Sequence, residues 1–207
     1  KPISQKSTHF LLYGGLAVVA IWIILFEIIQ PWKSYYIKEK NFNVDKNEKP
    51  QGKLRTGFTT GTCATASSKA AALAIINQKT ISNVDVLLPK RDKINIKINS
   101  CEFTKNNARC SVIKDGGDDP DVTHGAEIFV DLSLTNNVGT VEIDGGNGVG
   151  RVTKPGLGLE IDSAAINPTP KKMILENVQE VAEEILKENG IKVLISVPKG
   201  EELATKT

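Results

Sequence analysis

The sequence predicts an α+β fold: a mixed sheet with two main helices, the truncated start of a second α/β domain, and a transmembrane helix appended at the N-terminus. Short runs rich in β-branched residues outnumber the two long helical segments. A continuous apolar run of about 20 residues precedes them, which is the length that a membrane-spanning helix needs. A strand-like run follows the second helix and indicates that a further βα unit begins there.

The apolar run extends from Phe10 to Ile29 and contains only one tyrosine and one glutamate that can ionise. At about 1.5 Å rise per residue, such a run spans about 30 Å, the thickness of a bilayer core. The excess of lysine and arginine after the run predicts that the folded part lies in the cytoplasm, attached to the membrane through residues 10–29. We therefore expect residues 1–40 to be a membrane anchor or the remnant of a fused upstream protein, and residues 41–53 to be a polar linker.

The folded region is expected to comprise residues 54–207. A helix is predicted from Thr62 to Asn77, where alanine recurs often enough for close packing against a sheet. A second helix is predicted from Lys171 to Asn189, because two prolines precede it and a glycine follows it. Strands are predicted at Val84–Leu88, Ile94–Ile98, Cys110–Lys114, Ile128–Leu134, Val141–Ile143 and Lys192–Val197.

Composition excludes several classes of protein. The chain is 40% hydrophobic and 24% charged, which is typical of a globular protein and not of a disordered one. A net charge of +2 without basic clusters argues against nucleic-acid binding. The three cysteines lack C-x-x-C spacing, so we expect neither a zinc site nor a disulfide framework. This cysteine usage predicts that the protein is in a reducing compartment. Only Cys63, at a helix N-terminus, is a candidate nucleophile; the others are expected to be packing residues.

A loop of unusual composition runs from Asp115 to Gly125. Four aspartates, one histidine and three glycines fall within it, although like charges repel and glycines lose entropy when they are ordered. This composition indicates a hard-cation site, a proton-transfer site or a loop that holds a ligand through backbone groups. The alternative is a solvated turn. A calcium site is the weakest of these hypotheses, because the loop lacks the ligand spacing of an EF-hand.

Two further stretches could bind anions. Thr59, Thr60, Gly61 and Thr62 stand at the start of the first predicted helix, where free amides and the helix dipole attract negative groups. The alternative for them is ordinary N-capping, which needs a single hydroxyl. No P-loop lysine follows, so a nucleoside triphosphate is not expected.

The second stretch is a glycine-rich loop after the strand that ends near Ile143. It contains Gly145, Gly146, Gly148 and Gly150, but the residues that follow do not open a helix, so it is not a dinucleotide fingerprint. We interpret it as a flexible loop whose backbone approaches a ligand while two cations meet the ligand's negative groups. A mobile surface loop is the alternative. The two cations are Arg151 and Lys154.

Five stretches together resemble one family. They occur in order as LRTGFTTGTCATA, VIKDGGDDPDVTHGAE, GGNGVGRVTKPGLGL, AAINPTPKKM and ISVPKGEELATKT, between Leu54 and Thr207. The pattern is similar to the cobalt-precorrin-5B C(1)-methyltransferases of anaerobic cobalamin biosynthesis. It covers residues 53–207 and leaves residues 1–50 without a counterpart. The family continues into a second domain, so the resemblance implies that this chain is a C-terminally truncated catalytic region that can be inactive alone.

The resemblance implies an enzyme that transfers a methyl group from S-adenosylmethionine to ring carbon C-1 of cobalt-precorrin-5B. Cobalt is then part of the substrate, and no protein-bound metal is expected. The alternative is a membrane-tethered, non-catalytic tetrapyrrole-binding fragment. Under the enzyme hypothesis we assign catalysis, by holding the cofactor or moving a proton, to Asp118, Asp119, Asp121 and His124. Substrate or cofactor binding is assigned to Thr59, Thr60, Gly61, Thr62, Gly146, Gly148, Gly150, Arg151 and Lys154.

Overall fold

The computed structural model describes residues 55–154 and 158–205, which belong to one compact unit. Three helices lie within these residues: α1 (Thr60–Asn77), α2 (Pro168–Leu186) and α3 (Gly200–Ala204). Seven strands accompany them, at Asn83–Leu87 (β1), Lys93–Lys97 (β2), Ser100–Phe103 (β3), Asn107–Ile113 (β4), Glu127–Thr135 (β5), Val141–Gly145 (β6) and Gly190–Ser196 (β7).

Five of the strands form one sheet in the order β3-β4-β5-β7-β6. Its neighbours are antiparallel except β6 and β7, which are parallel and are connected through α2. A parallel pair needs such a crossover, because a tight turn between two strands leaves them antiparallel. β1 and β2 pair only with each other, as an antiparallel hairpin.

α1 is the centre of the core. It is buried along most of its length because it packs against β4 and β5 on one side and against α2 on another. Its alanines permit this close approach, and the hydroxyl of Ser67 donates a hydrogen bond to the Ile128 carbonyl on the sheet (3.1 Å). α2 buries one side only: Met173, Ile174 and Val178 face the core, and its other side is exposed.

One amide side chain attaches the β1–β2 hairpin to α2. Asn177 accepts a hydrogen bond from the Leu87 N–H (2.9 Å) and donates to the Leu87 carbonyl (3.0 Å), so it pairs with β1 as a neighbouring strand would. Lys69 adds a second link, since its ammonium reaches the Asp85 carbonyl (2.7 Å) and the Glu180 carboxylate (2.8 Å). These contacts fix the hairpin to the helical layer.

The described residues have the predicted α+β mixture of helices and strands, but the predicted architecture was wrong in three respects. The described residues contain two sheets instead of one mixed sheet, because the side chain of Asn177 takes the place of a strand beside β1. β7 does not open a second domain, because it lies between β5 and β6 in the main sheet. None of the helices in the described residues is long and apolar enough to cross a membrane, and the run predicted to do so, residues 10–29, lies outside them.

The other predictions for the N-terminal part, an anchor or fusion remnant at 1–40 and a linker at 41–53, also fall outside the described residues.

Candidate functional site

Several connections meet at one edge of the main sheet. The register pairs Ile113 with Glu127, Phe129 with Ser196 and Gly145 with Ile195. The end of β4, the start of β5 and the ends of β6 and β7 therefore lie side by side. We call this side, with the connections at residues 114–126 and 146–151, the loop edge.

The start of α1 also lies at the loop edge, where it contacts the aspartate-rich loop. The Phe58 N–H donates to the Asp115 carbonyl (2.7 Å), and Thr56 forms an isolated antiparallel bridge with Gly117. A Cβ at Gly57 would overlap the backbone of Gly116, so only a glycine permits this approach. The first and second motifs, distant in sequence, thus form one structure.

Asp115 is held by Arg55 through two hydrogen bonds, one from each terminal guanidinium nitrogen. These bonds, together with one from the Gly117 N–H (2.9 Å), lower the pKa of Asp115 to about 2. The hydrogen bonds to Asp115 and its negative charge in turn raise the pKa of Arg55. Arg55 was not among the predicted site residues, although it lies in the first motif. Its partner is 60 positions away, which local sequence reasoning does not reveal.

A second ion pair in this loop joins Asp121 to Lys114, whose side chain is only 2% exposed. The Lys114 ammonium donates to the Asp121 carboxylate, and the Thr123 N–H donates to its other oxygen (2.7 Å). The bond from Lys114, followed by the bonds from Thr123, holds the pKa of Asp121 well below its usual range. Lys114 was also missed, although a lysine at the end of an apolar strand beside four aspartates is a readable signal.

The remaining predicted catalytic residues differ in their surroundings. Asp118 accepts a hydrogen bond from the Arg55 backbone N–H (2.6 Å), so it helps to join the two segments. His124 Nδ1 accepts one from the Gly116 N–H (3.0 Å) and lies 3.9 Å from Asp115 Oδ1. Asp119 is exposed, and its carboxylate has no partner among the residues that the structure describes.

The residues at the start of α1 differ in whether their polar groups have hydrogen-bond partners. Thr59 is the N-cap: its hydroxyl accepts from the Thr62 N–H (3.1 Å) and contacts the Thr62 hydroxyl (2.9 Å). The amides of Thr60 and Gly61, by contrast, have no partner within the described part of the chain. Burial raises the pKa of the nearby Cys63 thiol to about 11, so that candidate nucleophile is a thiol at neutral pH.

The glycine-rich loop is braced by its own chain. Arg151 donates to both oxygens of Asp144 (2.7 and 3.1 Å) and to the Gly145 carbonyl (3.0 Å), so its charge is already paired. The bond from Arg151 lowers the pKa of Asp144. A Cβ at Gly148 would overlap the Val197 carbonyl.

The other residues predicted to bind in this loop lie at its borders. A Cβ at Gly146 would lie 2.6 Å from the Ser196 hydroxyl, whereas at Gly150 the nearest atom would be 3.8 Å away. Lys154 is exposed and immediately precedes residues that the structure does not describe.

The structure therefore unites the predicted residues only in part. The helix start and the aspartate-rich loop form one cluster, whereas β7 lies between that loop and the glycine-rich loop on the same edge. Within the described ranges, no group of three or more histidine, cysteine, aspartate or glutamate side chains is placed to hold a metal ion.

A sequence model of the CbiD family matches residues 46–207. The cobalt-precorrin-5B C(1)-methyltransferase of Priestia megaterium is 48% identical over 155 residues, which are 75% of this chain and 42% of that protein. The one of Geobacillus kaustophilus (strain HTA426) is 49% identical over 74% of this chain and 41% of its own length. The chain thus spans less than half of these relatives.

A solved structure is also similar. The crystal structure of a cobalamin biosynthesis protein from Archaeoglobus fulgidus matches with a TM-score of 0.52 and 34% identity, over 75% of this chain and 48% of that one.

Proposed function

The chain belongs to the CbiD family, and from this premise we propose that the complete protein methylates carbon C-1 of cobalt-precorrin-5B with S-adenosylmethionine as the donor. Relatives that are 48% and 49% identical to this chain are named cobalt-precorrin-5B C(1)-methyltransferases. Because the chain spans less than half of their length, we assign it a part of the enzyme and not the whole catalytic unit.

The observation that carries this proposal is the meeting of three motifs at the loop edge. The stretches that carry the family resemblance begin at Leu54, Val112 and Gly145. Backbone hydrogen bonds join the first two, and strand register brings the third to the same edge. We infer that the loop edge faces the corrin substrate, because within the described residues these three stretches come together there.

The substrate gives the loop edge something to bind. A corrin precursor carries acetate and propionate side chains, which are carboxylates at neutral pH. The Thr60 and Gly61 amides at the positive end of α1 suit such a carboxylate. Lys154, exposed beyond the glycine-rich loop, offers a second positive group. We no longer assign this role to Arg151, since Asp144 neutralises it.

The described residues do not by themselves fit the methyl donor. A Cβ at Gly146 or Gly148 would meet the chain's own Ser196 or Val197 and not an open cradle, so these glycines serve the packing of the loop. The carboxylates of Asp115 and Asp121 are paired with cations, so they are poor partners for a sulfonium. We therefore assign the donor to no residue, and ligand binding by Gly146 and Gly148 stays a prediction.

Among the predicted catalytic residues we favour His124 and Asp119. With Nδ1 accepting from Gly116, neutral His124 carries its proton on Nε2, so it suits donation to a substrate carboxylate better than proton removal. Asp119 has no side-chain partner in the described region, which leaves it free to accept a proton. Asp118 and Asp121 hold the loop instead.

The test is a methylation assay with the complete protein, including any part outside residues 1–207. Cobalt-precorrin-5B and S-adenosylmethionine with an isotopically labelled methyl group are the reactants. We expect a labelled methyl group on C-1 of the corrin, detected by mass spectrometry and NMR. Unmodified precursor, with the protein shown to be folded, would contradict the proposal.

A pair of variants then tests the loop edge in the same assay. His124→Asn keeps an acceptor at the δ position for the Gly116 N–H but removes the Nε2 donor, and we expect kcat/KM to fall roughly 10- to 100-fold. Asn106→Ala, in the β3–β4 turn at the opposite edge, is the control and should leave kcat/KM unchanged.

A further inference from the structure

Two of the three cysteines face each other across neighbouring strands. Cys101 on β3 and Cys110 on β4 are register partners, and the Cys110 thiol donates to Cys101 Sγ at 3.0 Å. A second donor, the Ile81 N–H, reaches Cys101 Sγ from outside the sheet (3.4 Å) and holds that sulfur in place. Nothing in the spacing of the cysteines along the chain suggests this pair.

The hydrogen-bond pattern of the β3–β4 hairpin places Cys101 and Cys110 at a position that favours a disulfide. The Thr104 N–H donates to the Asn107 carbonyl (2.7 Å), which makes these two residues a hydrogen-bonded pair. Pairs alternate along an antiparallel ladder, so the cysteines, three positions further, form a non-hydrogen-bonded pair. Such pairs have Cα atoms about 4.5 Å apart, within the range that a disulfide spans.

The two thiols differ in access. Cys110 is fully buried, whereas Cys101 is half-buried on β3, an edge strand of the main sheet. Burial, with the hydrogen bond to Cys101, raises the pKa of the Cys110 thiol well above its usual range. An oxidant from solvent therefore meets Cys101 first, and Cys110 lies ready beside it. Cys63 is fully buried on α1 and is not part of the pair.

We propose that Cys101 and Cys110 are a site of reversible oxidation, at which a peroxide converts the two thiols into a cross-strand disulfide. Cys101 is oxidised to a sulfenic acid while hydrogen peroxide is reduced to water. The Cys110 sulfur then attacks the Cys101 sulfur, its proton and the hydroxyl group leave as a second water, and the S–S bond forms. The two electrons lost by the thiols are those that the peroxide gains.

The bond requires the sulfurs to approach from 3.0 Å to about 2.0 Å, which side-chain rotation within the pair supplies. It would tie the edge strand β3 to β4, the strand that leads into the aspartate-rich loop. The proposal depends on this hairpin alone and is independent of the methylation reaction.

The experiment is peptide mapping of the 207-residue chain after treatment with hydrogen peroxide. Free thiols are alkylated under denaturing conditions, and trypsin then cleaves after Lys105 and Arg109, which puts the two cysteines on different peptides. We expect these peptides to be joined, lighter by two hydrogen atoms than their sum, and to separate after dithiothreitol. Cys63 should remain alkylated.

Variants distinguish this pair from other cross-links. Cys101→Ser must abolish the joined peptides, and Cys63→Ser, the matched control, must retain them. Should Cys101→Ser fail to fold by circular dichroism, Cys110→Ser takes its place. Three alkylated cysteines after treatment, sulfinic acid at Cys101 with free Cys110, or a cross-link that contains Cys63 would each overturn the proposal.

Discussion

At the residue scale, the aspartate-rich loop is stable because its charges are paired within the fold. Arg55 pairs with Asp115 and also lies 3.9 Å from Asp118, and Lys114 pairs with Asp121, so three of the four carboxylates have a cationic neighbour. The density of aspartates was readable from the sequence and rightly marked the loop as unusual. The partners were not, because Arg55 lies 60 positions away and only the folded chain brings it there.

The Lys114–Asp121 pair yields a prediction about stability. Asp121→Asn leaves the buried Lys114 ammonium without its countercharge, and we expect the free energy of unfolding to fall by about 1–2 kcal/mol. Asp119→Asn, two positions away and without a side-chain partner in the described region, is the control and should change it by less than about 0.5 kcal/mol. Urea denaturation at pH 7 measures both, and equal effects would show that the pair does not stabilise the loop.

The same pair predicts a pH dependence. Because the pKa of Asp121 is lower in the folded state, the unfolded state takes up a proton first as the pH falls. The contribution of the Lys114–Asp121 pair to the free energy of unfolding is complete above the ordinary aspartate pKa of about 3.9 and is lost as the pH falls further. The free energy of unfolding of Asp121→Asn should therefore decline less steeply than that of the wild type between pH 5 and pH 2. Parallel curves would contradict this.

At the element scale, the two long helices and most strands were predictable, since their hydrophobic patterns and caps are local. α1 was expected from Thr62 and begins at Thr60, because the Thr59 hydroxyl caps it. β3 was missed: its four residues show no clear alternation, and it exists because β4 pairs with it. α3 was missed because it is only one turn long.

For the glycine-rich loop, the sequence did not reveal the contacts that surround it, although ligand binding there stays a prediction. Glycines and a cation suggested an open loop that binds a ligand. Instead, Arg151 forms an ion pair with Asp144, and the glycines leave space for β7 and for the residue after it, Val197. Such packing depends on the sheet order and cannot be read from the loop itself.

Two glycines with the same backbone conformation test this interpretation. Gly148 (φ 73°) and Gly125 (φ 76°) are both left-handed, but only at Gly148 would a Cβ overlap another residue. Gly125→Ala should cost about 1 kcal/mol of unfolding free energy from backbone strain alone. Gly148→Ala adds overpacking and should cost about 2–4 kcal/mol. Chemical denaturation of both variants decides it, and equal costs would mean that the loop does not pack tightly against Val197.

At the scale of the whole molecule, the family resemblance drawn from ordered motifs is confirmed by the comparisons. The sequence alone showed that the motifs occur in order, but not that they share an edge of one sheet. That arrangement follows from antiparallel β4–β5 and β5–β7 pairing together with the parallel β6–β7 pair. It makes the loop edge the side on which we expect the corrin to bind.

Hydrogen exchange of the complete protein, with and without cobalt-precorrin-5B, tests most directly whether the corrin binds at the loop edge. The opposite edge, at residues 104–107 and 136–140, serves as the internal control. We predict slower amide exchange on binding at residues 55–62, 115–125 and 145–151 and unchanged exchange at the opposite edge. Protection at the opposite edge alone, or bound precursor with no protection at the loop edge, would contradict the proposal.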